Sequence, residues 1–218
     1  MLSQIPTYIL SGMAITIAVT LVALPMGFVL GLTFALLRVY GGKFLSAIMA
    51  AYSTIMRGVP PLVLLFVLYF IISGVINLTP FWAGSLALGV VSSGYQLEII
   101  RGALCSVGST QMTAARAIGM SRAKAVRYII LPQALRLIIP SWSNEASVVL
   151  KDSSLVSALG VAEITRKSQL IGASTYKFLL AFLTAALIYF ILVFLTNRLL
   201  DYVERKTRIP GFSHHSTL

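Results

Sequence analysis

A chain of 218 residues that is 58% hydrophobic and 11% charged does not have the composition of a soluble domain, in which about 25% of residues are charged, and it belongs in a bilayer. The formal net charge of +11 comes with no exposed basic domain, so it argues against a nucleic-acid partner and for Lys and Arg gathered in cytoplasmic loops. Cys105 stands alone, which excludes a disulfide framework and a cysteine-built metal site.

The N-terminal apolar stretch, Ile5 to Leu37, is too long for a cleaved signal and has no basic segment before it. It predicts a retained first span over Ile9 to Leu37, ending at Arg38, Gly41, Gly42 and Lys43. Gly27 and Gly31 form a Gly-x-x-x-Gly pair that would let another helix pack closely. A second apolar region, Phe44 to Ile76, is broken at Arg57-Gly58-Val59-Pro60-Pro61, which predicts an interfacial helix followed by a span from Leu62 to about Ile76. Asn77 to Pro80 reads as an uncharged turn beside the interfacial aromatics Phe81 and Trp82.

The third predicted span, about Phe81 to Leu104, holds Tyr95, Gln96, Glu98 and Arg101. Ser106 to Pro132 is polar and basic, with Arg116, Arg122, Lys124 and Arg127 and no acid. There, Ser109 or Thr110 would cap a short helix that Gly119 ends, and Ser121 would cap a second that Pro132 stops. The fourth span, about Leu135 to Leu159, contains Pro140, Asn144, Glu145, Lys151 and Asp152. Gly160 to Lys177 is a polar connection with room for a short helix, and Phe178 to Leu199 is a clean fifth span. The expected architecture is an all-α multi-pass membrane protein of about five helices. Residues 1–208 form one domain and 209–218 a loose cytoplasmic tail carrying His214 and His215, read as solvated rather than metal-binding. An outside N-terminus and a cytoplasmic C-terminus put Arg38, Lys43, the 106–132 loop and the C-terminal basic cluster on one side; Arg166, Lys167 and Lys177 fall on the other.

No catalytic constellation is present. The chain lacks a Gly-x4-Gly-Lys-Ser/Thr loop, and no span contains a histidine, so neither a nucleotide cradle, a Ser-His dyad nor a histidine metal site is expected. The ionisable residues inside predicted spans are the candidates, because each costs about 2.5–3.5 kcal/mol to insert. Glu145 and Asp152 lie seven apart on one helix face, with Ser141 and Val148 near it and Lys151 about 100° round. Tyr95 and Glu98 share a face of the third span. Such a lining would hold a zwitterion, acids taking the α-ammonium and Lys151 or backbone amides the carboxylate. The competing readings are structural: Glu98 neutralising Arg101 at i+3, Lys151 pairing with Glu98, Glu145 or Asp152, and Tyr95 as core filler.

Several ordered blocks carry a resemblance. They are Arg57-Gly58-Val59-Pro60; Tyr95-x-x-Glu98-Ile99-x-Arg101-Gly102; Ala114-Ala115-Arg116-Ala117-Ile118-Gly119 with Ile129-Ile130-Leu131-Pro132; Leu131-Pro132-Gln133-Ala134-Leu135-Arg136; and Asn144-Glu145 followed by Leu150-Lys151-Asp152-Ser153-Ser154-Leu155. Over roughly residues 5 to 208 the chain resembles the permease subunit of ABC importers for polar amino acids, the histidine, glutamine and arginine type with its EAA loop. Thr113 stands where that loop has Glu.

The resemblance implies a type I importer fold, no catalysis or cofactor of the chain's own, and a place in a prokaryotic inner membrane. It implies ATP and Mg on a cytoplasmic ABC ATPase dimer gripping the 106–132 loop through Thr113, Ala114, Ala115, Arg116 and Gly119. It further implies a second permease subunit, identical or homologous, an extracytoplasmic solute-binding protein and an amino-acid substrate. The expected substrate-binding set is Tyr95, Glu98, Asn144, Glu145, Lys151, Asp152 and Ser153, and the acids favour a basic amino acid. The alternatives are a membrane anchor or assembly protein, against which the buried charges count, and an intramembrane enzyme, against which the empty catalytic inventory counts.

Overall fold

A computed structural model describes residues 4–207. The tail expected over 209–218, with His214 and His215, lies outside the described residues. The described chain is all-α and runs α1 (Gln4–Leu10), α2 (Met13–Tyr40), α3 (Gly42–Gly58), α4 (Pro61–Val75), α5 (Pro80–Ala117) and α6 (Arg122–Ala125). A π-helical turn (Val126–Ile130), α7 (Leu131–Leu137), α8 (Ile139–Asp152), a 3-10 segment (Ser153–Leu159), α9 (Ile164–Thr175) and α10 (Phe178–Thr207) complete it.

Two helical stretches, Ile5–Tyr40 and Phe178–Thr207, are long and apolar enough to cross a bilayer, and α3 with α4 form a third if their 115° bend is one broken span. The break falls at Val59 and Pro60, both extended, where the proline pair was expected to interrupt the helix. The third and fourth predicted spans, on α5 and on α7 with α8, carry more polar side chains, and many of these turn inward: Ser92, Ser93 and Gln96 on α5, and Ser143, Glu145 and Ser147 on α8, are buried.

The most extensive helix pairing is α2 against α5, and the Gly-x-x-x-Gly pair makes it possible. A Cβ on Gly27 would come within 2.6 Å of Gln96 Nε2, and one on Gly31 within 2.9 Å of Gln96 Cβ and 3.0 Å of Leu97 N. The missing side chains let the two backbones close on each other. Around this pair one apolar core gathers Ala35, Leu97, Ile100, Leu104, Ile130 and Ala134. A second brings together Val19, Ala23, Leu65, Leu88, Val149 and Val156, so α8 and the 3-10 segment are held against α2, α4 and α5.

Three local expectations are corrected. Ser109 and Thr110 start no helix, because α5 passes through them to Ala117. The buried stripe of Leu104, Val107 and Ala115 continues α5 into the basic segment and outweighs the capping preference. Pro132 does not stop the following helix either. The π-helical turn ahead of it re-registers the backbone, and Gln133 Nε2 donates to Ile129 O at 2.9 Å, so α7 begins at Leu131 with the proline in its first turn. The fourth predicted helix tightens into 3-10 geometry at Ser153 and ends at Gly160 in the left-handed conformation.

Candidate functional site: a polar α5–α8 seam and a basic corner

Glu98 is tied to cations from three helices. Arg38 on α2 donates to its Oε1, Arg101 Nε donates to its Oε2 at 2.8 Å, and Arg57 on α3 approaches to 3.8 Å. Ser53 Oγ adds a hydrogen bond to Oε1 at 2.8 Å. The expected Glu98–Arg101 neutralisation is thus present within a larger clasp fastening α2 and α3 to α5. Tyr95, three residues earlier, is half-buried.

Further along α5 the buried polar residues face α8. Trp142 Nε1 donates to Gln96 Oε1 at 2.9 Å; Gln96 Nε2 donates to Ser92 Oγ at 3.0 Å and to Leu24 O at 3.2 Å. Ser92 Oγ donates to Glu145 Oε1 at 2.7 Å. On the other side of α8, Ser147 hydrogen-bonds Asn197 of α10. α8 is therefore pinned on both flanks by side-chain hydrogen bonds.

The remaining expected residues divide by exposure. Asn144 and Lys151, seven apart, lie exposed on α8, while Asp152 is half-buried beside them. Lys151 forms no ion pair among the described residues, so the pairing with Glu98, Glu145 or Asp152 considered from sequence is not found. It borders a cavity of about 320 Å³ with Ser154, Thr165 and Tyr189. Ser153 is fully buried and its hydroxyl donates to Leu150 O at 2.7 Å. The structure thus brings Glu145, Asn144, Lys151 and Asp152 onto one short helix, and leaves Glu98 in its own clasp.

The sequence reading missed Ser92, Gln96 and Trp142 as a unit. It also missed Glu163, fully buried, which caps α9 by accepting from Thr165 N at 2.8 Å and Arg166 N at 2.7 Å, and takes a hydrogen bond from Tyr189 Oη at 2.6 Å. An acid just before an amphipathic segment, and a Ser-x-x-x-Gln pair inside an apolar run, were the available signals.

The basic segment forms a corner. α5 ends in a Schellman arrangement: Gly119 N donates to Arg116 O and Met120 N to Ala115 O, both at 3.0 Å, with Gly119 at φ +82°. Ser121 accepts from Lys124 N at 3.4 Å and opens α6. Ala114, Arg116, Ala117, Ile118 and Gly119 are exposed, Ile118 by 77%, and so is Thr113. Ala115 is 1% exposed and packs inward, so the outward face is carried by its neighbours. The Arg122 guanidinium lies 5.4 Å from the Tyr40 ring centroid and braces the corner against the end of α2.

With this geometry in view, the family of binding-protein-dependent transport system inner membrane components matches residues 23–209. The chain belongs to that family. It is 32% identical over 207 residues to the arginine transport system permease protein ArtQ of Bacillus subtilis (strain 168), covering 94% of each chain. It is 33% identical over 211 residues to the octopine transport system permease protein OccQ of Rhizobium radiobacter, covering 91% of this chain and 89% of that one. Among solved structures, an amino acid ABC transporter crystallised with histidines matches with TM-score 0.82 at 36% identity, over 92% of this chain and 94% of that chain. An inward-facing MetNI methionine ABC transporter shares the fold alone, with TM-score 0.80 at 22% identity and coverage of 92% and 96%. The permease has the type I ABC importer fold and is a transport subunit of an amino-acid ABC importer, not an enzyme.

Proposed function

We propose that this permease forms the translocation pathway for a polar, basic amino acid, lined by the exposed side of α8, and takes its drive through the corner at residues 106–132. The observation that carries the reading is α8 itself. In a chain built for lipid, it presents Asn144 and an unpaired Lys151, with Asp152 half-exposed beside them and Glu145 behind. Hydrocarbon does not tolerate an unpaired lysine, so this side of α8 borders water or a polar cargo. Lys151 suits a substrate carboxylate, and Asp152 and Glu145 suit its ammonium groups. The names of the relatives, arginine and octopine permeases, favour a cationic amino acid.

Family membership supports the rest of the assembly: a second permease subunit, a cytoplasmic ABC ATPase dimer that holds ATP and Mg, and an extracytoplasmic solute-binding protein. The membrane is a prokaryotic inner membrane, with the N-terminus outside and the corner and C-terminus in the cytoplasm. Exposed Ala114, Ala117, Ile118 and Gly119, flanked by Arg116, give the ATPase a small-residue surface to grip.

Glu145→Gln and Asp152→Asn test the pathway. Truncating a buried charged partner typically costs about 2–5 kcal/mol, so each substitution should strongly reduce ATP-driven uptake while the complex assembles and the binding protein keeps its affinity. Wild-type uptake in both variants would make the acids structural.

A further inference from the structure

The hydrogen bonds behind Glu145 have a direction. The Trp142 indole nitrogen only donates, so the atom of Gln96 facing it at 2.9 Å is the amide oxygen. The amide nitrogen is left facing Ser92 Oγ and the Leu24 carbonyl, and that carbonyl only accepts, so both ends of Gln96 fix the same orientation. With Gln96 donating to the Ser92 hydroxyl, the single Ser92 proton points to Glu145 Oε1, 2.7 Å away. The unit is buried: Gln96 is 0%, Ser92 4% and Glu145 6% exposed. It crosses three helices, and Gly27 and Gly31 are the close approaches that bring the α2 backbone onto Gln96.

We infer that Trp142, Gln96 and Ser92 are positioning residues that run a one-way hydrogen-bond chain from α8 through α5 and back, ending on Glu145 Oε1 as the acceptor. The consequence for transport rests on the reading that Glu145 serves the pathway; the direction of the chain does not. Among the described residues no hydrogen bond holds the second Glu145 oxygen, so it is the one left for a cationic group. Ser92, Gln96 and Trp142 would touch no substrate.

Infrared difference spectroscopy on the complete purified importer tests the end of the chain at Glu145 without transport. Wild type minus Glu145→Gln should isolate the Glu145 carboxyl band. In a Ser92→Ala background the same subtraction should show that band displaced, because the Ser92 hydroxyl no longer bonds Oε1, and Ser92→Thr should restore its position. A Glu145 band whose position is unchanged by both Ser92→Ala and Trp142→Phe would overturn the inference. A second arm measures ATP-driven uptake in proteoliposomes. Ser92→Ala should lower it on the order of ten-fold, the value of one hydrogen bond, and Ser92→Ala added to Glu145→Gln should lower it no further than Glu145→Gln alone. Additive losses would make Ser92 a packing residue and sink its positioning role. Wild-type uptake in Glu145→Gln beside the expected spectra would instead remove the pathway reading and leave the directed chain standing.

Discussion

Arg38 near the end of α2 donates to Glu98 on α5, and the same carboxylate takes Arg101 from one turn along. Glu98 is the single acid among three guanidinium groups, so removing it leaves Arg38 and Arg101, both partly buried, facing each other without a counter-ion. Glu98→Ala should destabilise the detergent-purified complex by about 1.5–3 kcal/mol, read as a fall in melting temperature. Arg57→Ala should cost under about 1 kcal/mol, because its partner lies 3.8 Å away and Arg57 is 46% exposed. Equal losses would mean that Glu98 is not the centre of a clasp.

Gly119 stands at φ +82° with open space around it, so its role is conformational rather than steric. Gly119→Asn, which tolerates the left-handed region, should retain most transport. Gly119→Val should insert and assemble but lose ATPase stimulation, because a β-branched residue resists that conformation by about 1–2 kcal/mol or more. Coupled uptake at the wild-type level in Gly119→Val would remove the corner from the coupling path.

The α2–α5 seam gives a sharper packing test. Gly31→Ala puts a methyl 3.0 Å from the Leu97 amide nitrogen, where backbone must move, whereas Gly102→Ala on α5 meets nothing within 4 Å. Gly31→Ala should lower thermal stability, and Gly102→Ala should leave it unchanged or raise it by up to about 1 kcal/mol. The reverse order in a melting series would contradict the close approach.

Topology follows from charge. In a Cys105→Ser background, cysteines at Thr79 and Ser213 should react with an impermeant reagent from opposite sides of the membrane, Thr79 from outside. Labelling of both from one side would require an even number of spans between them and contradict the predicted three, and with it the count of five.

Much of this was legible in the sequence because local physics dictated it. The bend at Pro60 and Pro61, the left-handed Gly119, the Ser121 cap and the small-residue face of α2 all rest on backbone chemistry within a few residues. What was not legible depends on partners far along the chain. Gln96 looked like one polar residue in an apolar helix until Trp142, 46 residues away, supplied its donor. Glu98 looked like a candidate ligand until Arg38, 60 residues earlier, was seen to engage it. Helix periodicity put Glu145 and Asp152 on one face, but only packing shows that Glu145 turns toward α5 while Lys151 and Asn144 turn out.

The central claim is that this chain is a pathway rather than an anchor. The most direct measurement reconstitutes it in proteoliposomes with the proposed partners, an ABC ATPase, a second permease subunit and a solute-binding protein, and follows uptake of labelled amino acids. The account predicts accumulation that requires ATP and the binding protein, is strongest for a basic amino acid, and collapses in Asp152→Asn while the complex stays intact. An assembled, ATP-hydrolysing complex that accumulates no amino acid, or one whose uptake is unchanged by both Asp152→Asn and Glu145→Gln, would contradict it.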